Sequence, residues 1–217
     1  MARLTAPLFS LDASGTIGSA ITFARWKGIN YARVRVIPAN PKTTGQTAVR
    51  NIFTNLNELW KRSGTLARRP FALAARGQPF TDRNINIREN VPALQGDANL
   101  DDLVMSVASG QAINVINVIT ADGTDGTITV TADSPPAPDG YTLTQVIGVA
   151  VQDGDPEDLI TRQTYIGEDG GTPWSFAITA GGDADYQVGV HALWTRDSDG
   201  LLFCSIADRS QVTVTGS

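Results

Sequence analysis

TTGQTAVRNIFTNLNELWKRSG, residues 43–64, is the one long segment with a clear helical period, and its reading decides how the rest of the chain is arranged. Val49, Ile52, Phe53, Leu56, Leu59 and Trp60 recur at i, i+3, i+4 and i+7, so they share one face, while Arg50, Thr54, Asn57, Glu58 and Lys61 point away. Thr43 and Gln46 have the spacing of a capping box, and Pro41 stops the helix upstream. Lys61 and Arg62 suit the negative end of the helix, and Gly64 is placed for a left-handed C-cap. An amphipathic helix needs a covering surface. The flanking segments read as strand, so a sheet must bury that stripe.

Upstream, residues 17–37 read as a hairpin. Ile21 and Phe23 alternate with Thr22 and Ala24, Lys27-Gly28 supplies the turn, and residues 31–36 return. Val34 and Val36 are expected to face the helix, with Phe53, Leu56 and Trp60 as its anchors. Arg25, Lys27, Arg33 and Arg35 would then line the other side as a basic stripe, with Trp26 and Tyr31 beside it. Downstream, residues 66–76 predict a shorter helix, provided that Pro70 falls in its first turn. Thr81-Asp82-Arg83-Asn84 reads as a turn leading into a short edge strand, Ile85-Asn86-Ile87.

From residue 113 onward, short strands recur between turn signals: 113–119, 127–131, 143–151, 159–165, 174–178, 186–194, 201–206 and 211–215. Breaks at Asp122-Gly123, Pro135-Pro136, Asp153-Gly154, Gly181-Gly182 and Asp199-Gly200 complete the pattern of an antiparallel β-sandwich. Tyr186 to Val190 has the form of the tyrosine-bearing strand of fibronectin type III and immunoglobulin-like domains, with Trp174 and Trp194 as core fillers. The expected fold is mainly β, with a small α+β N-terminal part and a C-terminal immunoglobulin-like sandwich.

Charge places the boundary. Residues 1–95 carry 14 Lys/Arg against 4 Asp/Glu, a net of +10, and residues 96–217 carry 3 against 18, a net of −15. Two domains are therefore expected, 1–95 basic and 96–217 acidic, meeting near Gly96. A single cysteine, Cys204, excludes an intrachain disulfide, and no secretion signal or 18-residue apolar run is expected to direct the chain to a membrane.

Chemistry is sparse. His191, the one histidine, is expected to point to solvent or to a neighbour, and no nucleophile elbow, phosphate loop or Cys/His metal cluster occurs. Asp153, Asp155, Glu157 and Asp158 have the residue types of a calcium loop without its glycine and distal glutamate, so a turn is the better reading. No catalytic residue, metal or cofactor is assigned.

Trp26-Lys27-Gly28 with Tyr31-Ala32-Arg33, then Asn40-Pro41-Lys42-Thr43, Gln46, Arg50, Trp60 and the segment from Arg83-Asn84 to Asn90, resembles a group of phage and prophage virion proteins. The resemblance covers roughly residues 14–90. It implies a structural, non-enzymatic component of a virion, in the neck, tail or capsid-decoration layer, whose partners are other copies of itself and other virion proteins. On this expectation Arg25, Trp26, Lys27, Tyr31, Arg33 and Arg35 form the interface, with Phe9 adding apolar contact. The alternative is a nucleic-acid-binding module in which those cations meet phosphates and Trp26 or Tyr31 stacks on bases. The acidic half disfavours it.

Overall fold

A computed structural model describes residues 3–4, 13–37, 39–96, 99–109, 118–133, 137–159, 162–169 and 174–216. The chain forms two compact units, 1–42 and 43–217.

The first unit is a small antiparallel sheet in the order β1 (Arg3–Leu4), β2 (Ala13–Ile17), β3 (Ile21–Trp26), β4 (Ile29–Val34). The expected turn is present: Lys27 and Gly28 have φ of 48° and 85°, the pair of left-handed conformations that lets two residues join twisted strands.

The second unit begins with three helices, α1 (Thr44–Arg62), α2 (Thr65–Ala74) and α3 (Asp82–Ala93). Strands follow: β5 (Val118–Thr124), β6 (Thr127–Ala132), β7 (Tyr141–Gln152), β8 (Thr164–Asp169), β9 (Trp174–Thr179), β10 (Ala184–Arg196), β11 (Leu202–Cys204) and β12 (Asp208–Thr215). Their hydrogen-bonded order is β8-β7-β10-β12-β5-β6-β9, with β11 beside the end of β10. The ribbon doubles over at β12–β5, where only Val214↔Gly123 and Thr215↔Thr124 pair. That pairing is parallel, so the sandwich is not antiparallel throughout. Once doubled, β8 lies against β9, and the two layers β8-β7-β10-β12 and β5-β6-β9 enclose one core. This is the immunoglobulin-like layout expected from the sequence.

The core between the layers takes the even-numbered residues of β10, Tyr186, Val188, Val190, Ala192 and Trp194, with Ile128, Val130, Val146, Ala150, Ile178, Val212 and Val214. Tyr186 locks its corner by donating to the Gly182 carbonyl at 3.0 Å and accepting from the Gly181 N–H at 3.1 Å.

The opposite face of β7 and β10 carries Ile147, Val149, Val151 and Leu193. It is covered by Ile52, Leu56 and Leu59 of α1, Ala67 of α2, and Leu94, Leu100, Leu103 and Met105. The helices are thus a third layer on the sandwich. Three expectations fall with this finding. The division comes at Lys42/Thr43 and not near Gly96, because residues on both sides of Gly96 share one core. The stripe of α1 is buried by the sandwich, while Val34 and Val36 are exposed. Of the expected anchors, Leu56 and Trp60 are buried but Phe53 is 48% exposed: it lies on the same side of the helix as Asn57 and Trp60, one and two turns further on, and burial on that side begins only at Asn57.

Thr43 caps α1, its Oγ1 accepting from the Gln46 N–H at 3.4 Å. Gly64 is extended, at φ −68°, and caps the next helix instead of taking a left-handed conformation; the Ile166 Cδ1 methyl packs over it, 2.7 Å from where a Cβ would stand. Pro70 sits inside α2, not in its first turn, with Ala67 and Phe71 buried around it. Residues 85–87 belong to a helix and not to a strand, since Thr81 accepts from the Asn84 N–H at 3.3 Å and starts α3. The 3-10 turn Pro156–Asp158 precedes β8, which starts at Thr164 and not at Leu159, residues 160–161 of the expected strand lie outside the described residues, and Asp122-Gly123 lies within β5 instead of breaking the chain. The expected strand over 113–119 falls largely outside the described residues.

Candidate interaction surface

The six residues singled out on the hairpin are all in the first unit, and strand register decides which of them act together. Cross-strand partners share a face. Trp26 opposes Ile29, Ala24 opposes Tyr31, and Thr22 opposes Arg33, so Trp26, Ile29, Tyr31 and Arg33 lie on one side of the sheet. Arg25 opposes Asn30 and lies on the other side, with Ile21, Phe23 and Val34. A single basic stripe is therefore not formed. Arg33 follows the aromatic side, Arg25 the aliphatic side, and Lys27 sits in the turn with its Nζ 4.8 Å from the Trp26 ring centroid. Arg35 lies beyond the end of β4, its N–H donating to the Ala20 carbonyl at 2.7 Å.

Both sides are apolar and open. Trp26 is 65% and Ile29 68% exposed, and Ile17, Ile21, Tyr31, Val34, Val36 and Ile37 are also exposed. In the second unit the exposed large apolar side chains among the described residues are Phe53, Phe80, Leu201 and Ile206. Contiguous apolar exposure on one small sheet marks a contact surface. Phe9 lies outside the described residues.

The basic residues of the helical layer do structural work. Arg68 Nη2 donates to the Trp60 and Lys61 carbonyls at 2.5 and 3.0 Å, closing the open end of α1, and its guanidinium lies 5.3 Å from the Trp60 ring centroid. Arg83 Nε donates to Asn57 Oδ1 at 2.5 Å, and Asn57 in turn donates to the Phe53 carbonyl at 2.6 Å, so the buried amide joins α1 to α3.

The acidic loop after β7 is likewise engaged. Burial alone would raise the Asp153 pKa, but the N–H groups of Leu100 and Gly154, at 3.0 and 2.7 Å, and the amides of Gln187 and Gln211, at 3.1 and 2.9 Å, hold it below the ordinary value. Asp155 accepts from the Glu157 N–H, and Glu157 accepts from Asn51 Nδ2 of α1 at 2.8 Å, which docks the helix on the loop.

Two reactive residue types are sequestered. His191 is fully buried, contrary to expectation, because β10 is covered on both sides and the odd-numbered residues Gln187, Gly189, His191 and Leu193 face the helical layer. Neither ring nitrogen has a hydrogen-bond partner among the described residues, and burial lowers its pKa to about 3. Cys204 is buried as well; desolvation raises its pKa to about 12 although Ser106 Oγ lies 3.3 Å from the sulfur. The unbroken apolar run 146–151 was the sequence signal for this double covering.

No protein-family model matches the chain, and no curated protein sequence matches it.

Proposed function

We propose that this chain is a non-enzymatic structural component of a phage particle, in its neck, tail or capsid-decoration layer, present in multiple copies and docked through its N-terminal arm. The observation that carries this reading is the arm itself: a sheet compact as a unit of its own, basic, and bearing most of the exposed large apolar side chains among the described residues. Residues 1–42 hold 6 Lys/Arg against 1 Asp/Glu, a net of +5, and residues 43–217 a net of −10. The resemblance over residues 14–90 supplies the kind of assembly. Burial of His191 and Cys204 removes the two side chains best suited to acid–base and nucleophilic chemistry at neutral pH.

Particles purified by density gradient from cells making a tagged copy test the reading. The tag should co-purify with particles at many copies each, and imaging should place the copies on a symmetric site. Assembled particles that lack the protein would contradict it. A nucleic-acid role draws on one specific observation, that Trp26, Tyr31 and Arg33 share a face beside Lys27. A salt-sensitive shift of labelled single-stranded DNA, abolished by Tyr31→Ala, would favour that role instead.

A further inference from the structure

A one-layer sheet with apolar side chains on both sides is unstable in water until something covers it. In the arm, Ile21, Phe23 and Val34 take one side and Trp26, Ile29 and Tyr31 the other. Its net charge of +5 makes a second arm a poor cover, because like charges would be brought together at short range. The complementary charge lies on the sandwich, where residues 96–217 carry −15.

One face of that sandwich has the shape and chemistry to receive a sheet. On β6 and β9 the core-facing residues alternate with Thr127, Thr129, Thr131, Ser175, Ala177 and Thr179, which point outward and pair as Thr127↔Thr179, Thr129↔Ala177 and Thr131↔Ser175. Residues 127–132 and 174–179 contain no Lys, Arg, Asp or Glu, although 18% of the chain is charged. The outward side of an antiparallel sheet is ordinarily polar, and on these two strands it is polar without charge. At one end of this face the Ala180 N–H donates to the Gly126 carbonyl and draws two loops together. The exposed Asp125, Asp183 and Asp185 sit there, and residues 124–127 and 180–185 include no Lys or Arg. The two uncharged strands are thus bordered by acidic residues, with Asp122 of β5 paired to Thr129 among them, a centre and rim of the kind protein interfaces use.

We propose that the arm of one copy packs, sheet on sheet, on the outward β6-β9 face of a second copy, with its cations toward the acidic rim. The contact is heterologous: each copy offers one arm and one face, so copies chain head to tail and close into a ring or extend as a filament. This deepens the multi-copy docking reading and rests on it.

Light scattering and sedimentation of the full chain, with two variants, test the contact. The arm variant carries Trp26→Asp and Ile29→Asp; the face variant carries Thr129→Arg and Ala177→Arg, all at solvent-facing positions. Wild type should associate beyond the dimer, less strongly at about 1 M salt, where the screening length falls to about 3 Å. Each variant alone should lose association by about tenfold or more while its circular dichroism is unchanged. Mixed, they should form a 1:1 dimer and nothing larger, because only one sound arm and one sound face remain. A wild type that is monomeric throughout overturns the proposal, as would a face variant that assembles like wild type. The face variant alters only the sandwich, so it decides the matter even if the arm variant misfolds. Entry into particles is scored separately: a monomer in solution that still enters particles refutes this contact alone, whereas self-association with absence from particles refutes the virion reading alone.

Discussion

His191 makes stability depend on pH. Its folded pKa, about 3, lies below the ordinary 6.5, so the unfolded chain binds a proton that the folded one refuses. The stabilisation is complete above pH 6.5 and is lost as pH falls from there towards 3, at up to about 1.4 kcal/mol per pH unit. Urea unfolding from pH 7 to 4 should show this slope, and His191→Leu should flatten it; an unchanged slope would mean that the ring is not buried neutral. Asn90 is the other residue whose removal should be costly. It is fully buried, accepts from the Val104 N–H at 2.7 Å and donates to the Val104 carbonyl at 3.0 Å. Asn90→Ala leaves both groups unmatched and should cost on the order of 2–4 kcal/mol in denaturant unfolding. Cys204 should resist a thiol reagent in the native protein and react once urea unfolds it, in keeping with a thiol pushed up to about 12.

Among the elements, α1 shows best how a sequence pattern ranks residues. Trp60→Ala should cost about 3–5 kcal/mol and Leu56→Ala about 2–5, since both are buried. Phe53→Ala should stay within about 0.5 kcal/mol, the range of an exposed site. Chemical denaturation of the three variants decides it, and equal losses would place Phe53 in the core. Helical period alone could not separate these residues, because 100° steps put Phe53 within about 20° of Trp60, and what differs is which turn of the helix is covered. α3 was illegible for another reason. Its buried face uses Asn90 as well as Ile85, so no apolar stripe exists to be seen, and Thr81-Asp82-Arg83-Asn84 serves a turn as readily as a cap. The sandwich strands and the corner at Tyr186 were plain, because alternation and loop glycines are local signals. In the hairpin, the turn was legible but the facing of Arg25 was not: strand parity opposes it to Arg33, and only register shows this.

At the scale of the whole molecule, charge misled and packing corrected. The swing from +10 to −15 near Gly96 follows surface residues, and a surface can change sign inside one core. Ile52 and Leu56 share that core with Ile147 and Val149, so the boundary lies at Lys42/Thr43. The consequence is that residues 43–217 hold a complete core of their own. Thermal and urea unfolding of residues 43–217, side by side with the full chain and with residues 97–217, tests this division most directly. The fragment 43–217 should unfold in one cooperative transition close to that of the full chain, while 97–217, with Ile147, Val149, Val151 and Leu193 stripped of cover, should aggregate or melt much lower. A well-folded 97–217 beside an unfolded 43–217 would contradict the account.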